Sequence, residues 1–194
     1  MVMHKLLTLR RVNYCLAGLL ILLALYIMVL PIFPSIQWWF RHSAPVISSP
    51  TVTSVPLATA KIPDGEILYI PSLNLSEPIF EGASIYTANK GIWRRPQTSS
   101  PDQGSNTVLV GHRFTYAGAA VFYNLDKVKS GDQIIVYWHG KAYEYKVFNI
   151  SQVSPNKASV EAPTNESILT LYTCTPLLTA KDRLVIQAVL ENVL

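Results

Sequence analysis

The sequence predicts a mainly β domain, closed as a barrel or stacked as a sandwich, that follows one N-terminal transmembrane helix. Three observations carry this prediction. No Asp, Glu, Lys, Arg or His occurs from Val12 to Phe40. Between residues 43 and 63, Pro45, Pro50, Pro56 and Pro63 sit among Ser and Thr, with Lys61 the one charge. From Asp64 onward, short runs rich in Val, Ile and Tyr alternate with turn signals.

The apolar run comes first. Tyr14–Phe33 is almost wholly hydrophobic. At about 1.5 Å rise per residue, a helix of that length crosses a ~30 Å hydrocarbon core. Pro31 and Pro34 mark its far end, and Trp38, Trp39 and Phe40 suit a membrane interface. Lys5, Arg10 and Arg11 precede the run, and only Arg41 closely follows it. The positive-inside rule then puts the N-terminus in the cytoplasm. The expected organisation is a cytoplasmic tail (1–11), a signal anchor (12–34), a Pro/Ser/Thr-rich spacer (35–63) and an extracytoplasmic domain (64–194). A cleaved signal peptide has a shorter apolar region, about 7–15 residues, ending at small residues. A buried core helix is rarely so uniformly apolar.

The spacer composition favours extended chain that holds the following domain off the membrane. Within that domain, strands are expected at Ile67–Ile70, Pro78–Phe80, Thr107–Gly111, Gln133–Trp138, Lys141–Ser151, Ile168–Cys174 and Leu184–Leu190. His139-Gly140 reads as a hairpin turn. Weak helical signals lie at Ser84–Lys90 and Ala119–Leu125. Short strands at this spacing argue for a barrel or sandwich.

Charge excludes one class of function. The net charge is +4, and Lys5, Arg10 and Arg11 supply three of those charges, leaving the remainder nearly neutral. A nucleic-acid binder would carry a basic stripe, and none is visible. The two cysteines, Cys15 and Cys174, are too few and too far apart for a disulfide or zinc framework. No carboxylate cluster, phosphate-cradling loop or cofactor motif emerges, so neither a metal nor a cofactor is expected.

Three segments can carry chemistry. Thr107-Val-Leu-Val-Gly-His112-Arg113 is a β run ending in a glycine and a histidine. Leu169-Thr-Leu-Tyr-Thr-Cys174-Thr-Pro is a β run ending in a cysteine. Lys181-Asp-Arg183-Leu-Val-Ile opens a strand with an arginine. Singly, each has a plain explanation: a buried small hydrophobe, a turn residue, and a solvated cation paired with Asp182. Jointly they match the needs of a thiol that attacks a peptide carbonyl. Such a thiol requires a nearby cation, a proton donor for the leaving amine and a donor for the oxyanion. Cys174, His112 and Arg183 meet these needs. His4 falls in the tail, His42 at the membrane surface and His139 in a turn, so His112 is the well-placed imidazole.

These segments resemble the sortase family. Thr170-Leu171-Tyr172-Thr173-Cys174 is similar to its Thr-Leu-x-Thr-Cys strand. Arg183, nine residues after the cysteine and followed by Leu184-Val185, resembles the family arginine, and Gly111-His112-Arg113 resembles the histidine segment. Ile70-Pro71-Ser72-Leu73, and Phe122-x-x-Leu125 followed by Gly131-Asp132, add to an ordered set covering residues 62–194. The resemblance implies an eight-stranded sortase-type β-barrel with short helices, Cys174 as nucleophile, His112 as proton carrier and Arg183 as oxyanion partner. Substrate contacts are expected at Val110, Thr170, Tyr172 and Thr173. It further implies a membrane-anchored transpeptidase. Its substrates would be secreted proteins with an LPxTG-like sorting signal, cut between Thr and Gly. A cell-wall or pilin amine would accept the acyl group. Thr173-Cys174-Thr175-Pro176 is similar to pilin-type enzymes. The lack of Asp-Pro in residues 43–63 and the end of the chain after the last strand favour a single-anchor enzyme, nearer the class D or E types.

Two readings compete. The same residues could serve a cysteine endopeptidase or amidase at the cell surface. A tethered, non-catalytic binding domain would hold Cys174 and His112 as core residues. An L,D-transpeptidase is disfavoured, because no Ser-x-Gly-Cys segment surrounds Cys174.

Overall fold

A computed structural model describes residues 2–29, 62–115 and 118–194. The chain divides into two compact units, Met1–Val52 and Thr53–Leu194.

The first unit contains helix α1, Val2–Val29. It takes in most of the expected tail, so the basic flank has helical backbone. Its side chains from residue 13 to 29 are all exposed, among them Leu19, Leu22, Tyr26 and Met28. Among the described residues no helix is long and apolar enough to cross a membrane. The end of the expected anchor, its flanking aromatics and nearly all of the spacer lie outside the described residues.

The second unit is an eight-stranded closed barrel. Its strands are β1 (Ile67–Ile70), β2 (Leu75–Phe80), β3 (Ile92–Arg94), β4 (Asn106–Val110), β5 (Gln133–Trp138), β6 (Lys141–Val153), β7 (Ile168–Thr175) and β8 (Asp182–Val193). Their order around the barrel is β1-β2-β3-β4-β7-β8-β6-β5, with β5 closing onto β1. Two neighbour pairs, β2–β3 and β4–β7, are parallel. Alternation along the strands points Leu68, Ile70, Leu109, Ile134, Val136, Leu169, Leu171 and Ile186 into one core. Phe122 and Leu125, from the connection after β4, complete it.

Several boundaries differ from expectation. β2 begins at Leu75 rather than Pro78, and β8 extends from Asp182 to Val193 rather than Leu184–Leu190. Alternation identifies the half-buried centre of each strand but not its solvated ends. β3 was not anticipated. Its three residues are too few to show a period, yet they bridge β2 to β4. The helical signal at Ser84–Lys90 is a 3₁₀ helix, Ile85–Asn89, capped by the Ser84 hydroxyl accepting from the Tyr86 N–H. The signal at Ala119–Leu125 yields turns and a 3₁₀ helix at Leu125–Lys127. Apolar spacing there reflects Phe122 and Leu125 plugging the barrel, not a helix face. A further 3₁₀ helix, Ala158–Glu161, lies in the β6–β7 connection. The His139-Gly140 turn forms as expected, with both residues at positive φ (48° and 73°), as a two-residue hairpin of this type requires.

Candidate active site

The site follows from the register of three adjacent strands. β4 and β7 run parallel and pair through Val110 and Tyr172. Carried two residues further, that register places His112 beside Cys174. β7 and β8 run antiparallel, and Cys174 lies opposite Arg183. Odd-numbered residues of β7 face the core, so Tyr172 and Cys174 face outward. Cys174, His112 and Arg183 all line one cleft of about 300 Å³, together with Trp93, Arg95, Val110, Glu161, Tyr172 and Thr173.

Cys174 is a free, half-buried thiol. Its strand is tied to the histidine loop by Thr173, whose hydroxyl donates to the Gly111 carbonyl (2.8 Å). Gly111 is required sterically. A Cβ there would sit 2.7 Å from Val121 Cγ2 and 2.8 Å from the Phe122 ring. The histidine loop therefore crosses directly over the barrel plug.

His112 Nε2 lies 2.9 Å from Asn89 Oδ1. An amide oxygen only accepts, so Nε2 carries the hydrogen and Nδ1 is left with the lone pair. Burial pushes the imidazole below its ordinary value of 6.5, by penalising the charged form. His112 is therefore neutral at pH 7.

Arg183 does not pair with the Asp182 carboxylate. That carboxylate accepts from Gln152 Nε2 (2.7 Å). Arg183 Nη1 donates to the carbonyls of Ala180 and Asp182, each at 3.0 Å. These bonds hold the guanidinium at the cleft, and among the described residues its Nε and Nη2 make no hydrogen bond.

The expected substrate contacts divide. Val110, Tyr172 and Thr173 line the cleft. Thr170 does not: it is buried, and its hydroxyl donates to Asn106 Oδ1 (2.7 Å). Asn106 Nδ2 in turn donates to the carbonyls of Val160 and Ala162, each at 3.0 Å. Thr170 thus belongs to a buried chain that pins the β6–β7 connection to the barrel.

Residues that sequence reasoning missed complete the cleft. Arg95 makes a bidentate contact to Glu161, with Nε–Oε1 at 3.0 Å and Nη2–Oε2 at 3.1 Å. Tyr172 Oη donates to the same carboxylate (2.6 Å), and Arg95 stacks on Trp93, 4.8 Å from the ring centroid. Burial, followed by the Glu161 hydrogen bond and charge, pushes the Tyr172 phenol well above its usual range. Arg95 and Glu161 are 66 residues apart, so no local spacing advertises them. His139 lies elsewhere, with Nδ1 3.2 Å from Asp102 Oδ2. Among the described residues no group of three or more His, Cys, Asp or Glu side chains is arranged to hold a metal ion.

A thiol facing a guanidinium, with an imidazole on the adjoining strand end, is suited to cysteine-based acyl transfer. A family model described as the sortase domain matches residues 68–191, and the chain belongs to the sortase family, whose members are cysteine transpeptidases. It is 32% identical over 140 residues to sortase SrtE1 of Streptomyces coelicolor, covering 62% of this chain and 38% of that protein. It is 30% identical over 105 residues to sortase A of Bacillus anthracis, covering 54% and 49%. The chain spans 38% to 60% of the length of the curated relatives it matches. Among solved structures, a lid mutant of sortase A from Corynebacterium diphtheriae superposes with a TM-score of 0.62 at 28% identity, over 70% of this chain and 74% of that one. Sortase C-1 from Actinomyces oris gives 0.60 at 30% identity, over 66% and 73%.

Proposed function

We propose that this protein is a membrane-anchored transpeptidase that cleaves a C-terminal, LPxTG-like sorting motif of secreted proteins between Thr and Gly. It then transfers the acyl group to an amine of the cell envelope. The convergence of Cys174, His112 and Arg183 on one cleft supports this reading above all.

In this scheme the resting pair is the Cys174 thiol and the neutral His112 imidazole. The thiol proton passes to Nδ1 as sulfur attacks the threonine carbonyl carbon. Negative charge builds on the carbonyl oxygen, where the unengaged donors of Arg183 stabilise it. The C–N bond to glycine breaks, the imidazolium gives its proton to the departing amine, and a thioester remains on Cys174. An incoming amine attacks the thioester, loses its proton to His112, and the thiolate leaves and is reprotonated. Val110, Tyr172 and Thr173 would contact the peptide along the cleft.

The apolar run of residues 12–34, flanked by basic residues on its N-terminal side, supports a single-pass anchor with the barrel outside the cytoplasm. The lack of an Asp-Pro motif in residues 43–63 favours a single-anchor enzyme of class D or E type over a pilin polymerase.

The test is mass spectrometry of products from a library of Leu-x-x-Thr-Gly-like peptides, with and without a glycine-containing amine. Thr–Gly cleavage with acyl transfer to the amine is expected. Cleavage to the free acid alone, unaffected by amine, would replace the scheme with hydrolysis. No reaction with any peptide would remove the assignment.

A further inference from the structure

Where backbone pairing between β4 and β7 stops, side chains continue it. The last backbone contact is the Gly111 N–H to the Tyr172 carbonyl, already stretched to 3.5 Å. Beyond it, Thr173 Oγ1 donates to the Gly111 carbonyl (2.8 Å) and Arg113 Nη1 donates to Thr175 Oγ1 (2.8 Å). These two bonds join residues 111 with 173 and 113 with 175. His112 and Cys174 lie between them, one on each strand end.

Arg113 is itself fixed. Its Nη2 lies 2.9 Å from Asp126 Oδ2, and its side chain is only 12% exposed. Asp126 follows Leu125, a fully buried core residue, within the 3₁₀ helix Leu125–Lys127. The Phe122 N–H donates to the His112 carbonyl (3.1 Å), and Phe122 is also fully buried. The core plug therefore holds both the histidine backbone and the guanidinium that reaches across to the cysteine strand.

We infer that Arg113, through Asp126 and Thr175, is a positioning residue that sets the separation of His112 from Cys174. It does not line the cleft, so it acts through the two strand ends and not on the substrate. The inference rests on the proposed thiol–imidazole chemistry. Proton transfer between two side chains depends steeply on distance, and a misplacement of about 1 Å can cost on the order of 10²-fold in rate.

The experiment uses the full chain in detergent, with Thr175→Val, Thr175→Ser, Arg113→Gln and the Thr175→Val/Arg113→Gln double variant. Thr175→Val keeps the shape of the side chain and removes the acceptor, so it reads the strut even if Arg113→Gln fails to fold. Thr175→Val should lower kcat roughly 10-fold or more, towards that limit, with KM little changed. Thr175→Ser should restore it, and the double variant should be no slower than the worse single one. Unchanged kcat in Thr175→Val, or losses that multiply in the double variant, would overturn the strut. A second readout does not depend on the sorting substrate. The rate of Cys174 alkylation by iodoacetamide, resolved from Cys15 by peptide mass spectrometry, should change in Thr175→Val and return in Thr175→Ser. If the wild type turns over no peptide, the functional reading fails while this arm still judges the strut: identical alkylation rates would sink it.

Discussion

Cys174 and Arg183 face each other across the antiparallel pairing of β7 and β8. Directly opposed residues in such a pair carry their Cβ atoms about 4.5–5.5 Å apart on one face. The proposed nucleophile and oxyanion donor are thus placed by strand register, and a one-residue slip would turn either to the opposite face. Cys174→Ala should abolish transfer and hydrolysis alike. Arg183→Ala should cost on the order of 10²–10³ in kcat, and Arg183→Lys should not rescue it, because an ammonium lacks the planar fork. Steady-state kinetics on a cleaved sorting peptide decide the matter, and wild-type turnover in Cys174→Ala would end the mechanism.

The neutral state of His112 has a pH consequence. Burial holds its folded pKa below 6.5, so between the folded value and 6.5 the unfolded chain binds more protons. Stability must rise with pH across that window. The penalty is complete below the folded value and absent above 6.5. An NMR titration should place the His112 midpoint below 6.5. His112→Gln should remove part of the slope of Tm against pH in that window, and an unchanged slope would contradict the assignment.

The Arg95–Glu161–Tyr172 cluster clasps the β6–β7 connection to the cleft. The ion pair is part-exposed and contributes only about 1 kcal/mol or less. The principal effect of Glu161→Gln should therefore be on binding: KM for the peptide should rise more than kcat falls. The same variant should bring Tyr172 ionisation down towards the ordinary tyrosine range, because one cause of its elevation is removed. Ultraviolet titration against a Tyr172→Phe control isolates that phenol.

Gly111→Ala should be harmful out of proportion to one methyl group. The added carbon meets Val121 and Phe122 inside 3 Å, and overpacking of this kind costs about 1–3 kcal/mol. Because His112 is the next residue, activity should fall further than stability. A variant with lowered Tm but full kcat would show that the loop yields without moving the imidazole.

A chain beginning near Lys61 should be soluble, folded and active on peptides. Among the described residues the core is drawn from Leu68 to Ala188, so a chain starting near Lys61 keeps every one of those side chains. Full folding without activity would assign the spacer a part in the site. In intact cells, added protease should digest the barrel and spare residues 1–11, and a protected barrel would reverse the proposed orientation.

The shared cleft of Cys174, His112 and Arg183 was legible because each lies at or just beyond the end of a strongly apolar strand, where alternation is easiest to see. The barrel's long strands were legible for the same reason. β3 was not, since Ile92–Arg94 is shorter than one convincing period. Thr170 was misplaced on the substrate side. Only the folded β6–β7 connection reveals that Asn106 covers it. Arg95, Glu161 and Asn89 were invisible because their partners are remote in sequence. Arg113 stood in plain view beside His112, yet its bond to Thr175 spans 62 residues and depends on the parallel register.

Closure of β5 onto β1 removes the free rim that an open sheet would offer. Along the paired lengths of the strands an extended peptide cannot be captured by becoming one more strand, so main-chain zippering is denied there. What remains is recognition through the side chains that line the cleft beside Cys174. For the peptide-cleaving function proposed above, that geometry turns a generic affinity for peptide backbone into a demand for particular side chains.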